Sequence, residues 1–97
     1  MSRASIERRL TDLTAELRVA RDELMVVDEQ LQHFADEADD ARLRSLISET
    51  PLAVSEHREA AKAVAAVQRD REARLRRLAK LESKQDALLD QLSDVRS

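Results

Sequence analysis

Glycine, cysteine, tryptophan and tyrosine are absent from the 97-residue chain, and phenylalanine and proline occur once each. Without glycine, the residue that most easily takes positive φ in tight turns is missing. Without aromatics, the bulky groups that dominate compact cores are nearly missing. The lack of cysteine excludes disulfides, thiol nucleophiles and thiolate metal sites, and leaves the compartment open. No apolar run approaches the roughly 20 residues of a membrane span, and Met1-Ser2-Arg3-Ala4-Ser5 lacks the apolar stretch of a signal peptide. A cytoplasmic location with no membrane contact is the expectation. The net charge of −3 gives no global attraction to nucleic acid or anionic lipid.

What is present is helix-forming. Charged residues make up 38% of the chain, and the dominant Ala, Glu, Leu and Arg favour long helices or coiled coil. Ile6, Leu10, Leu13, Leu17, Ala20, Leu24, Val27, Leu31, Phe34, Ala38 and Ala41 alternate steps of four and three, an uninterrupted a/d seam. His57, Ala60, Val64, Val67, Arg71, Arg74, Leu78, Leu81, Gln85, Leu88, Leu92 and Val95 repeat the spacing. The polar members are tolerable because Arg can lay its methylenes on the seam and extend its head outward. Between the seams lies the one strong breaker, Ser48-Glu49-Thr50-Pro51. Pro51 disfavours helix at Thr50 and suits a first helical turn, with Thr50 as N-cap. Ser2 or Ser5 can cap the first helix in the same way. These signals predict an all-α fold: an antiparallel two-helix coiled-coil hairpin, one unit over 1–97, with helix 3–48, turn 49–51 and helix 52–96.

Folding about Thr50–Pro51 sets Ile6 against Val95, Leu10 against Leu92, Leu24 against Leu78 and Phe34 against Val67. The flanking positions then pair Glu16 with Lys84, Glu23 with Arg77, Arg44 with Glu56, Glu7 with Arg96 and Arg21 with Glu82, and no flanking pair carries like charges. A slip of one heptad sets Glu37 against Asp70 or Arg9 against Lys84. Each exposed pair stabilises by only ~0.2–1 kcal/mol, so the charges select register more than they add stability.

Near the turn, Leu43, Leu46 and Ile47 have i, i+3, i+4 spacing but fall out of phase with the seam. The phase breaks in Ala35-Asp36-Glu37-Ala38-Asp39-Asp40. Helix one therefore either bends there or ends, leaving a short tip helix at about 40–48. Leu52 and Val54 join this apolar tip, with Glu49 and the Asp36–Asp40 run as its polar rim. The tip is either a binding surface or a local cap on the hairpin. Met25, Val26, Leu75 and Leu89 widen the apolar face elsewhere. A lone two-helix hairpin cannot bury so wide a face, so a homodimer forming a four-helix bundle is expected, or else a larger partner.

Other chemistry finds little footing. The acidic run lacks the glycine-bearing pattern of a calcium loop and reads as a solvated helix face. The basic run Arg69, Arg71, Arg74, Arg76, Arg77 and Lys80 faces Asp22, Glu23, Asp28 and Glu29 in the hairpin. It has no aromatic neighbours for base stacking, so nucleic acid is not an expected partner. His33 and His57 fall roughly 18 Å apart along the hairpin, too far to share a metal. No nucleophile–base constellation stands out. An enzyme, a cofactor and a metal are not expected.

In length and hairpin shape the chain resembles the small secreted helical-hairpin proteins whose turn carries Trp-x-Gly, but Trp, Gly and Tyr are all missing here. The hairpin also resembles the N-terminal coiled coil of Gre-type transcript-cleavage factors. That resemblance implies a regulator inserting its hairpin into the secondary channel of RNA polymerase, with acidic residues at the tip. The straight-hairpin tip offers Glu49 alone, unless helix one ends near Asp39 and brings the acidic run to a turn. Arg outnumbers Lys 14 to 3, a bias common in high-GC genomes, and the chain as a whole resembles small coiled-coil proteins of actinobacteria. The leading expectation is a non-catalytic protein–protein interaction module; the channel-inserting regulator is the alternative.

Overall fold

The computed structural model describes residues 1–96. They form two α-helices, α1 (Arg3–Ser48) and α2 (Pro51–Arg96), joined by Glu49 and Thr50. The fold is an all-α antiparallel hairpin with no strand among the described residues.

The helix ends follow from local chemistry. Ser2 caps α1: its Oγ accepts from Ser5 N–H at 3.2 Å and its carbonyl accepts from Ile6 N–H at 3.0 Å. Thr50 caps α2 in the same way, with Oγ1 accepting from Ala53 N–H at 3.2 Å and the carbonyl from Val54 N–H at 3.0 Å. Such a side-chain bond satisfies one of the orphan donors of the first turn. Pro51 is the first residue of α2, one earlier than expected, because its missing N–H has no helical acceptor there in any case. Glu49 closes α1 at φ 49° and donates its N–H to the Ser45 carbonyl at 3.1 Å. This is the left-handed cap that helices usually assign to glycine; here a residue with a Cβ adopts it.

The separate tip helix at about 40–48 does not form. α1 runs without interruption through Asp36–Asp40. Helicity needs no apolar phase, only propensity and compatible neighbours. Gln32 Nε2 donates to Asp36 Oδ1 at 3.0 Å and His33 Nε2 meets Glu37 Oε1 at 3.1 Å, both one turn apart across the supposed break.

The chain divides into two compact units, Met1–Leu24 with Arg74–Ser97, and Met25–Ala73. Each is an antiparallel helix pair. In the first, Ile6, Leu13, Leu17, Ala20, Leu81 and Leu92 are buried. Leu13, Leu17, Ala20 and Leu81 form one cluster, with Leu78 and Leu88 packed against it. Full burial of such a Leu or Ile stabilises by about 1.5–3 kcal/mol. Val95 departs from the expected seam: it is 49% exposed. It lies one residue before the end of α2 at Arg96, so no following turn of its own helix flanks it. In the second unit Val27, Ala41 and Ala53 are buried, while Leu31, Phe34, Val64 and Val67 are half-buried. Ala53 extends the second seam one step of four before His57.

The ion pairs confirm the antiparallel sense within each unit. In the first, Arg96 reaches Glu7 at 3.9 Å and Arg74 Nη1 donates to Glu23 at 2.7 Å. In the second, Arg71 donates to Asp28, and Arg44 meets Glu56 at 4.0 Å. The Glu7–Arg96 and Arg44–Glu56 pairs are those expected. Glu23 instead bonds Arg74, about one turn before the expected Arg77, because a seam arginine can extend its long side chain out to the flank.

Candidate functional site

Around the turn the positions nearest the opposing helix are small. Ala41 is 2% and Ala53 7% exposed, and Ser45 is half-buried. Small residues let two helix backbones approach and leave no depth between them for larger side chains. The larger neighbours are accordingly outside: Ile47 is 83%, Leu52 69% and Leu46 62% exposed, and Leu43 and Val54 are also exposed. A local cap would cover these side chains against one another, and their exposure does not fit it.

Helical rotation of about 100° per residue distributes them. Measured from the seam at Ala41 and Ser45, Leu43 lies on the back of α1, away from α2. Leu46 and Ile47 lie on either side of Leu43 on this outer side of α1, three heptads after Met25 and Val26. On α2, measured from Ala53 and His57, Leu52 falls on the Arg44–Glu56 flank and Val54 on the Arg42 flank. The antiparallel arrangement keeps like flanks together, as the Arg44–Glu56 contact at 4.0 Å shows. Leu43, Leu46 and Ile47 therefore lie together on the outer side of α1, and Leu52 and Val54 lie on either side of the start of α2. Glu49 stands exposed at its apex, and Asp39 and Asp40 stand exposed one turn behind Leu43.

The other charged clusters are engaged locally. Asp36 accepts from Gln32, and Glu37 meets His33. Of the basic run, Arg71 and Arg74 are bound to Asp28 and Glu23. Among the described residues no three His, Cys, Asp or Glu side chains are grouped as a metal site would require. His57 is a half-buried seam residue whose Nδ1 is buried without a hydrogen-bond partner among the described residues. Sequence periodicity placed it on the seam but could not show that its nitrogen is unsatisfied.

The residues read as a self-association face are exposed. In the first unit, Leu75 and Leu89 lie two heptads apart on one flank of α2; in the second, Met25 and Val26 lie on the outer side of α1. The first unit also has a groove of about 440 Å³ with Leu13, Ala87 and Leu88 among its lining and Arg9, Glu16 and Lys84 at its sides. Glu16 and Lys84, expected to face each other, thus share one surface. Among the described residues no helix is long and apolar enough to cross a membrane. Comparison with protein-family models, curated proteins and solved structures finds no match.

Proposed function

We propose that the chain is a non-catalytic, cytoplasmic interaction protein whose hairpin presents its apolar tip to a protein partner. The observation that supports this most directly is the exposure of Ile47, Leu52 and Leu46, with Leu43 and Val54 beside them. Scattered surface hydrophobes are ordinary, whereas an apolar group gathered at one place marks an interaction surface. Leu43, Leu46, Ile47, Leu52 and Val54 supply the apolar contacts, and Glu49 with the Asp36–Asp40 run supplies the polar rim. Self-association belongs to the same reading: Met25, Val26, Leu75 and Leu89 bury in a homodimer built as a four-helix bundle.

The double change Leu46→Ser with Ile47→Ser tests the tip. These side chains contribute little to the fold, so stability should move by no more than about 0.5 kcal/mol, while the partner retained from native extract by the wild-type hairpin is lost. A large fall in melting temperature would make the tip a structural element. The channel-inserting regulator would use the same tip, and recovery of RNA polymerase subunits would favour it. The continuous α1 keeps Asp36–Asp40 away from the turn, so that reading rests on Glu49 alone at the apex.

A further inference from the structure

We infer that the first unit binds a second copy of this chain through the Leu75–Leu89 flank, with α1 of each copy lying antiparallel along α2 of the other, so that Arg21 and Arg18 meet Glu82 and Asp86 of the second copy. The inference rests on the self-association reading above and adds the face, the orientation and the charges that fix it.

The flank is built by helix geometry. Leu75 and Leu89 each follow a seam position of α2, and Glu82 stands midway between them, one residue past Leu81. On α1 the equivalent places, one residue past Leu13 and Ala20, hold Thr14 and Arg21. These places face one another across the hairpin, as the Glu7–Arg96 contact at 3.9 Å on the same flank shows. Arg18 lies three residues before Arg21, and Asp86 four after Glu82, each on the same side of its helix. The two leucines are exposed. The four charged side chains are exposed too, and none of them joins an ion pair among the described residues. Thr11 and Thr14 donate their hydroxyls to the Glu7 and Leu10 carbonyls at 3.0 and 2.8 Å, so neither needs an outside partner when covered.

The charges name the occupant. At one level of the unit the α1 edge of this flank is cationic and the α2 edge anionic. A two-fold axis running along the helices brings the α1 edge of one copy over the α2 edge of the other and preserves the level. Arg21 then faces Glu82 and Arg18 faces Asp86, twice each, and Leu89 covers Thr14. An axis across the helices would lay Arg21 over Arg21 and Glu82 over Glu82, and opposed like charges are unfavourable. Burial of the leucines supplies the drive, and the charges select the orientation. A second copy carries the matching pattern by symmetry alone. The opposite flank, where Glu16 and Lys84 border the groove, carries neither leucine, and Glu23 there is already bonded to Arg74.

The experiment uses the full chain. Sedimentation equilibrium should show a wild-type dimer. Glu82→Arg and Arg21→Glu, each alone, should weaken self-association at least about tenfold by opposing like charges across the interface. Mixing the two variants in equal amounts should restore a dimer containing one of each, which also verifies that both fold. The chain has no cysteine, so single cysteines report the orientation. Thr14→Cys mixed with a differently tagged Leu89→Cys chain should form the mixed disulfide on mild oxidation. Leu75→Cys mixed with Leu89→Cys should not, because two heptads of helix hold those positions roughly 21 Å apart, beyond the reach of a disulfide. A monomeric wild type overturns both this inference and the self-association reading. A dimer that neither charge change weakens overturns the flank and leaves self-association standing. A mixed disulfide from positions 75 and 89 in place of 14 and 89 overturns the orientation.

Discussion

Arg74 occupies a seam position of α2 and donates from Nη1 to Glu23 of α1 at 2.7 Å. One side chain therefore does two things: its methylenes continue the seam and its head pairs on the flank. The two groups remain about 35% and 49% exposed, so the ion pair itself contributes at most ~1 kcal/mol. Arg71 with Asp28 repeats the arrangement in the other unit.

Arg74 thus tests packing against charge. Arg74→Leu should leave stability unchanged or raise it by up to ~1 kcal/mol, because an apolar side chain keeps the seam contact. Arg74→Ala should lower it by about 1 kcal/mol through lost methylene packing. Urea denaturation of both variants compares them. If Leu costs more than Ala, the charge pair dominates and the packing account fails.

Among the described residues Glu49 carries the one positive φ, in a sequence without glycine. Glu49→Gly should raise stability by about 0.5–1 kcal/mol by relieving the Cβ clash. That corresponds to a rise of several degrees in Tm for a chain of this size. An unchanged or lower Tm would mean that the glutamate side chain contributes to the turn more than its backbone strain costs.

His57 places an unsatisfied Nδ1 inside the seam. His57→Leu removes that buried polar atom and adds apolar area at a seam position, so unfolding free energy should increase by about 1 kcal/mol. Thermal denaturation decides; a fall in Tm would show that the imidazole makes a contribution its carbon contacts and ring shape supply and leucine cannot.

The self-association face predicts a dimer or larger in sedimentation at micromolar concentration. Leu75→Ser with Leu89→Ser should shift the protein to monomer without abolishing its helical circular dichroism. A wild-type protein that is monomeric and stable at those concentrations would make Met25, Val26, Leu75 and Leu89 scattered surface residues.

The sequence by itself determined the helices, the turn and the antiparallel sense, because each rests on a local rule. A four-three apolar period needs a helix to bring its residues to one side. Thr50–Pro51 cannot continue a helix but can begin one. The charges at Glu7, Arg44, Glu56 and Arg96 select the register through contacts that helix geometry already fixes. Tertiary structure decided what local rules leave open. Periodicity could not tell whether the phase break at Asp36–Asp40 ends α1, since a helix does not require its apolar face to stay in phase; turn-to-turn pairs such as Gln32 with Asp36 hold it continuous. Glu23 takes Arg74 because the reach of a long side chain is settled by packing, not by heptad position. The spacing of Leu43, Leu46 and Ile47 is the same for a cap as for an exposed surface. Ala41 and Ala53 separate the two: they fill the space between the helices at the turn, and the larger side chains are left in solvent.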